Sequence, residues 1–280
     1  MVTERVQRVR VPGLKEMKQR GEKIAMLTAY DALMARLLER AGIDVLLVGD
    51  SVGMVLLGYD TTLPVTLEAM IHHTRAVSRG AERALVVADM PFLTYQVSAA
   101  EALRNAGRLV QEGGAQAVKI EGGRPVVETA ARLVDAGIPV MGHLGLIPQS
   151  VHQLGGYRRQ ARSAGDAERL LADARALESA GVFAIVLECI PAEVARSATA
   201  ELSIPTIGIG AGPHCDGQVL VSHDALGLTA GAAPSFVKQY AQLGALMAEG
   251  VKAYIREVRE GRFPAPAEAA PRPRSPKERA

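Results

Sequence analysis

Six ionisable residues stand at the ends of short apolar runs in this 280-residue sequence: Asp50, Asp89, Lys119, Glu121, His143 and Glu188. The three carboxylates Asp50, Asp89 and Glu121 suit a hard divalent cation. Mg²⁺ wants oxygen ligands, is satisfied by one or two protein carboxylates, and fills its remaining positions with water or substrate oxygens. Lys119 and Glu121 are two apart, so on a strand both project to one face. A buried Lys is costly unless it is paired or catalytic, and Lys119 is the only Lys between Lys23 and Lys238. An ammonium there can neutralise an enolate or a substrate carboxylate, or form a Schiff base. Neighbouring metal carboxylates keep it protonated and disfavour the Schiff base. Zinc lacks a His/Cys cluster, since the adjacent His72 and His73 point apart on a helix.

Each residue also has a plainer explanation. A strand-end Asp is commonly a turn former or a helix N-cap. Glu188 can be a polar residue at a strand exit, and His143 in GHLGL a structural histidine. What weakens these explanations together is that five successive runs would have to end in ionisable residues by coincidence.

The elements that must position these residues are legible as an alternation. The apolar runs are IAMLTA (24–29), DVLLVG (44–49), RALVVAD (83–89), AQAVKIE (115–121), IPVMGH (138–143), VFAIVLE (182–188) and IPTIGIG (204–210), with QVLVSHD (218–224) as a weaker eighth. Short, continuously apolar runs are strands buried on both faces of a parallel sheet. Amphipathic Ala- and Leu-rich segments separate them. Asp31 caps the first, and Ser98 with Glu101 forms an S-x-x-E box opening the helix that runs to Gly113. Recurrent helix-Gly-strand junctions, such as AGIDVLLVG and AGVFAIVLE, mark one unit used repeatedly. Seven or eight such units predict an α/β chain folded as a single-domain (β/α)8 TIM barrel, whose strand ends converge on one mouth. An open dinucleotide-binding sheet would want a Gly-rich loop after the first strand, where this chain has TAYD (28–31). The barrel is expected over 23–262. An N-terminal extension (1–22) with a short helix, PGLKEMKQR, precedes it, and a Pro-rich tail (263–280) predicted to be disordered follows.

Two loops are of interest. GIGAG (208–212) is either a phosphate-holding loop or a tight turn. LGLIPQSVHQLGGYRRQ (144–160) is either a lid over the mouth or a passive surface loop. Composition narrows the rest. A net charge of +2 and 4% aromatic residues, with no Trp, give no case for nucleic acid. No apolar run reaches the roughly 18–20 residues of a membrane span. Two cysteines, Cys189 and Cys215, without CxxC spacing fit reduced thiols and a cytoplasmic enzyme.

The blocks VGDSVGMVLLGYDTTLPVTLEAMIHHTRAV, ADMPFLTYQ, AVKIEGG, GHLGLIPQSVHQLGGY, VLECIP and IGIGAGPHCDGQVLVSHDALGL together resemble the ketopantoate hydroxymethyltransferase family, in order from about residue 10 to 262. The resemblance implies transfer of a one-carbon unit from 5,10-methylenetetrahydrofolate to 3-methyl-2-oxobutanoate, giving 2-dehydropantoate for pantothenate and coenzyme A synthesis. It implies Mg²⁺, a (β/α)8 barrel and a homodecamer. Position by position, it makes Asp50 and Asp89 metal carboxylates, with Glu121 beside them in the metal site. Ser51 and Lys119, with Asp50 and Asp89, match the residues that bind the oxo acid. His143 matches a hydrogen-bonding residue on the substrate side, and Glu188 the proposed base. The alternative is a metal-dependent barrel lyase that cleaves C–C bonds in small oxo or carboxylic acids, to which the same acidic rim would be suited. A non-catalytic barrel is disfavoured because a scaffold has no use for buried charges.

Overall fold

The structure, a computed structural model, describes residues 7–229, 231 and 233–265. Helix α1 (Val11–Arg20) leads into β1 (Ile24–Thr28), α2 (Ala32–Arg40), β2 (Val45–Val48), α3 (Val52–Val55), α4 (Leu67–Gly80) and β3 (Leu85–Asp89). There follow α5 (Ala99–Gln111), β4 (Ala117–Glu121), α6 (Val127–Asp135), β5 (Val140–Gly145), α7 (Val151–Leu154) and α8 (Ala164–Ser179). The order closes with β6 (Ala184–Glu188), α9 (Ala192–Glu201), β7 (Thr206–Ile209), β8 (Gly217–Leu220), α10 (Ser222–Ala225) and α11 (Leu243–Arg259). All eight strands are parallel and form a closed barrel in sequence order, β8 returning to pair with β1. The (β/α)8 expectation is met.

Strand alternation divides the core into two. Ile24, Met26, Val45, Leu47, Leu85, Val87, Ala117, Met141, Ala184, Val186, Ile207 and Val219 form one apolar cluster inside the barrel. Their chain neighbours Leu46, Val86, Val118, Ile120 and Ile185 belong to another, packed under the helices. Period two therefore sends every second residue inward, and at the C-terminal ends the inward series continues into Asp89, Lys119, Glu121, His143 and Glu188. Helices start where short polar side chains take up free backbone N–H groups: Asp31 accepts from Met34, Thr66 from Ala69, Ser98 from Glu101 and Ser163 from Asp166.

The eighth strand is shorter than its sequence run. It ends at Leu220, and Ser222 turns into α10 instead. The Ser222 N–H donates to Thr28 Oγ1 at 3.0 Å, so a β1 side chain takes the backbone bond that a continuing strand would have used. The short helix expected in the N-terminal extension is present as α1, and it does more than precede the barrel. Leu14 is fully buried within the inner cluster, and Lys18 Nζ donates to the Thr199 and Ile204 carbonyls and to Asp216 Oδ2. Residues 1–6, and the tail from 266 onward, lie outside the described residues.

By internal packing the chain makes two units. The barrel unit runs to Ser222 and takes in Pro234–Val237; the other comprises His223–Ala233 and the residues from Lys238 on. Within the second unit α11 buries none of its residues, and Leu246, Met247, Val251 and Tyr254 are exposed. No helix among the described residues is long and apolar enough to cross a membrane.

Replacing Leu14 by Ala removes a fully buried side chain from the inner cluster. The expected loss is about 2–5 kcal/mol of stability, measured by chemical denaturation; a loss within experimental error would mean that α1 does not close the core.

Candidate active site

Neighbouring strand ends bring the inward residues into contact. Asp89 pairs in register with Lys119, Glu121 with His143, and Gly145 with Glu188. Asp50 follows the end of β2, and its backbone N–H donates to Asp89 Oδ2 at 3.0 Å. Gly49 leaves room for the Ser51 hydroxyl, because a Cβ on it would lie 2.7 Å from Ser51 Oγ. Asp50, Asp89, Lys119, Glu121 and His143 are all buried, while the Glu188 side chain keeps 15% of its surface exposed.

Lys119 is the hub. Its ammonium lies 3.0 Å from Asp89 Oδ1, 3.2 Å from His143 Nδ1 and 3.7 Å from Glu121 Oε1. Burial opposes its charge, but Asp89, Glu121 and Asp50 outweigh burial and hold its pKa above the usual lysine range. That keeps it a cation and removes the free amine a Schiff base would need. His143 is held from both sides: Nδ1 is 3.2 Å from Glu121 Oε1, and Nε2 is 3.2 Å from Glu188 Oε2. The second contact is an ion-pair distance off the angles of a hydrogen bond, so Nε2 remains without a hydrogen-bond acceptor. Burial and Lys119 oppose its protonation. The carboxylates of Glu121 and Glu188 prevail and raise its pKa to about 9.

The carboxylates diverge. Burial, Asp89 and Glu121 push Asp50 well above the ordinary range, and burial raises Asp89 despite Lys119 beside it. Burial would also raise Glu121, yet His143, Lys119 and the Gln149 N–H bring it below its usual value. Four carboxylates, Asp50, Asp89, Glu121 and Glu188, face only two basic side chains, Lys119 and His143, and the upward push on Asp50 and Asp89 marks that excess of acid, which a divalent cation would balance. Asp89 Oδ1 is buried without a hydrogen-bond donor, its Lys119 contact lying outside hydrogen-bond geometry. Among the described residues no three His, Cys, Asp or Glu side chains form a ready-made metal cage. The fit is therefore to an ion held by two carboxylates and completed by water or substrate oxygens, the habit of Mg²⁺. Both Glu121 oxygens are engaged elsewhere, on His143 and on the Gln149 N–H.

Three site residues escaped the sequence reading. Gln149, from the turn between β5 and α7, is buried, and its Nε2 donates to Asp50 Oδ2 at 2.8 Å and to the Met90 carbonyl at 3.0 Å. Tyr95 fixes which way the amide faces by donating its hydroxyl to Gln149 Oε1 at 2.7 Å, while accepting from the Glu121 N–H at 3.1 Å. Tyr30, fully buried, lies 2.9 Å by its hydroxyl from Ser51 Oγ. The 144–160 loop thus reaches into the site. In the GIGAG loop, Gly210 and Gly212 have φ of 60° and 79°, and a Cβ on Gly212 would lie 2.5 Å from that of Ala192, so tight packing accounts for both glycines. His72 and His73 lie outside the cluster, His73 Nδ1 resting 2.8 Å from the Tyr30 carbonyl.

Comparison with known proteins bears on this site. The family model described as ketopantoate hydroxymethyltransferase matches residues 8–266. The 3-methyl-2-oxobutanoate hydroxymethyltransferase of Carboxydothermus hydrogenoformans is 59% identical over 257 residues, covering 92% of this chain and 93% of that protein. The protein of the same name from Moorella thermoacetica is 60% identical over 257 residues, covering 92% and 96%. Among solved structures, phosphoenolpyruvate phosphomutase from Streptomyces platensis subsp. rosaceus superposes with a TM-score of 0.61 at 15% identity, over 94% of this chain and 92% of that one. A phosphonopyruvate hydrolase complex with oxalate and Mg++ gives 0.60 at 14%, over 96% and 92%. At such identities these two show a shared fold alone.

In the metal-free protein His143 should titrate near 9, followed by NMR of its imidazole. Its folded pKa lies above the ordinary value of 6.5, so its charged form stabilises the fold. That contribution is complete below pH 6.5 and is lost as pH rises through about 9. A titration at or below 6.5 would contradict the doubly paired imidazolium.

Proposed function

Since the chain belongs to the ketopantoate hydroxymethyltransferase family, we propose that it joins 3-methyl-2-oxobutanoate, 5,10-methylenetetrahydrofolate and water into 2-dehydropantoate and tetrahydrofolate, in pantothenate synthesis. The observation that carries the chemistry is the contrast in the mouth: Glu188 stands half a step from solvent, beside five buried ionisable residues. Such a site can anchor a small 2-oxo acid inside and still present one carboxylate to its reacting carbon.

Asp50 and Asp89 would hold the Mg²⁺, with Glu121 behind them orienting His143 and Gln149. When bound, the ion supplies a Lewis acid that polarises the ketone of a 2-oxo acid and acidifies its C3 hydrogen. Glu188 takes that proton as general base. The C3–H pair moves into the enolate, whose carbon then forms the new bond to the folate methylene as the C=N π pair passes to the folate nitrogen. Water then replaces that nitrogen on the methylene, so the C–N bond breaks, the hydroxyl of 2-dehydropantoate forms and tetrahydrofolate leaves with the proton. His143, cationic and placed between Glu121 and Glu188, fixes the base in position. Lys119 offers its ammonium to the negative charge developing on the substrate oxygens, where prearranged charge contributes most. Ser51, held by Tyr30, donates to the oxo-acid carboxylate. Cytoplasmic location and a homodecameric assembly belong to this same reading, the latter checked by light scattering. The lyase alternative is disfavoured because the relatives that match at 59–60% identity carry the hydroxymethyltransferase name.

The direct test is Mg²⁺-dependent formation of 2-dehydropantoate from the two substrates; no product with folate present would refute the reading. Glu188→Gln should abolish deuterium exchange at C3 of the oxo acid and leave Mg²⁺ binding intact. Undiminished exchange in that variant would remove Glu188 as the base.

A further inference from the structure

Outside the buried cluster, the mouth of the barrel leaves large apolar side chains in water. After β2, Met54 is 39% exposed; after β3, Phe92 and Leu93 are exposed; after β5, Tyr157 is 49% exposed. Leu93 adds a cost, because its φ of 64° lies in the left-handed region that an L side chain avoids. Among the described residues that strain does not bring the leucine under cover, for its side chain stays 54% exposed.

Two of these residues meet. The Tyr157 hydroxyl donates to Met54 Sδ at 3.6 Å. The loops that carry them follow β2 and β5, and β3 and β4 stand between those strands, so the contact spans the mouth. Gln149 and Asp50 span the same two loops in the buried layer. Burial and the charges of Asp50, Glu188 and Glu121 raise the Tyr157 pKa, which puts the hydroxyl in the field of the reacting groups. Tyr157 follows Gly155 and Gly156, with φ of 67° and 111°, a pair that lets the loop turn sharply before the ring.

We propose that Tyr157 and Met54, with Phe92 and Leu93 on the adjoining loop, form the binding site for the pterin ring of methylenetetrahydrofolate. This rests on the transferase reading. The folate methylene must reach the C3 carbon whose proton Glu188 removes, so its ring system has to lie at the mouth. A pterin is flat, with apolar faces that stack on aromatic and thioether side chains. Its reactive iminium is a cation, which an aromatic face and the nearby carboxylates favour. Bond formation to C3 passes the iminium π pair to the folate nitrogen, neutralising that cation.

The test separates the two half-reactions. C3 deuterium exchange needs oxo acid and Mg²⁺ but no folate, whereas product formation needs both substrates. Tyr157→Ala and Met54→Ala should each raise the KM for methylenetetrahydrofolate roughly tenfold, with exchange moving less than about twofold. Tyr157→Phe keeps the ring and should restore folate KM to within about twofold of the parent. An unchanged folate KM in Tyr157→Ala overturns the proposal, as does an equal fall in exchange and transfer. A change in assembled mass by light scattering with folate KM unchanged would instead give the lip to contact with a second copy, and overturns it too. Should Tyr157→Ala fail to fold by circular dichroism, Met54→Ala carries the same expectation. A parent protein that makes no 2-dehydropantoate would refute the transferase reading itself, an outcome distinct from all of these.

Discussion

An ammonium group sits inside this barrel where water does not reach, and the mouth is organised around keeping it charged. Lys119 could not be accommodated by apolar neighbours, since an unpaired buried charge is prohibitively costly. Asp89 and Glu121 supply the opposing charge, one from the preceding strand and one from two residues along its own. Those carboxylates in turn overshoot, and part of their excess is met by His143. Each group is tolerable only because the others are present. The cluster behaves as one unit whose members cannot be assigned separate energies.

The arrangement exploits strand geometry more than any special loop. Parallel neighbours in register set Asp89 beside Lys119 and Glu121 beside His143. Inward parity then aims all four, with Glu188, into one space. A strand gives a side chain little freedom of direction, so the charged groups are prearranged before any substrate arrives, which is the condition for strong electrostatic catalysis.

That same parity explains how much could be read from the residues alone. Asp89, Lys119, Glu121, His143 and Glu188 were visible because apolar runs announce strands, and the residue types that break such runs stand out. Gln149, Tyr95 and Tyr30 were not visible. They are uncharged, they come from turns without periodicity, and their importance lies in pairings across 21 to 99 positions of sequence. The end of β8 was misjudged for a related reason: VSHD looks like strand, but a hydroxyl on β1 claims its backbone. Local pattern reveals which way an element faces, and it is silent on which distant group will compete for its hydrogen bonds. The role of α1 was hidden likewise, since nothing in PGLKEMKQR says that Leu14 will enter a barrel interior.

Leu14 and Lys18 close the barrel at the end opposite the catalytic rim. The vessel therefore has a single opening, and anything held at the bottom of the mouth must leave past whatever occupies the top. If the oxo acid binds beneath and a folate ring above, as proposed, the two substrates would not load in arbitrary sequence: the small one would be trapped by the arrival of the large one. A plug made by one short helix at one end would thus set the order of traffic at the other.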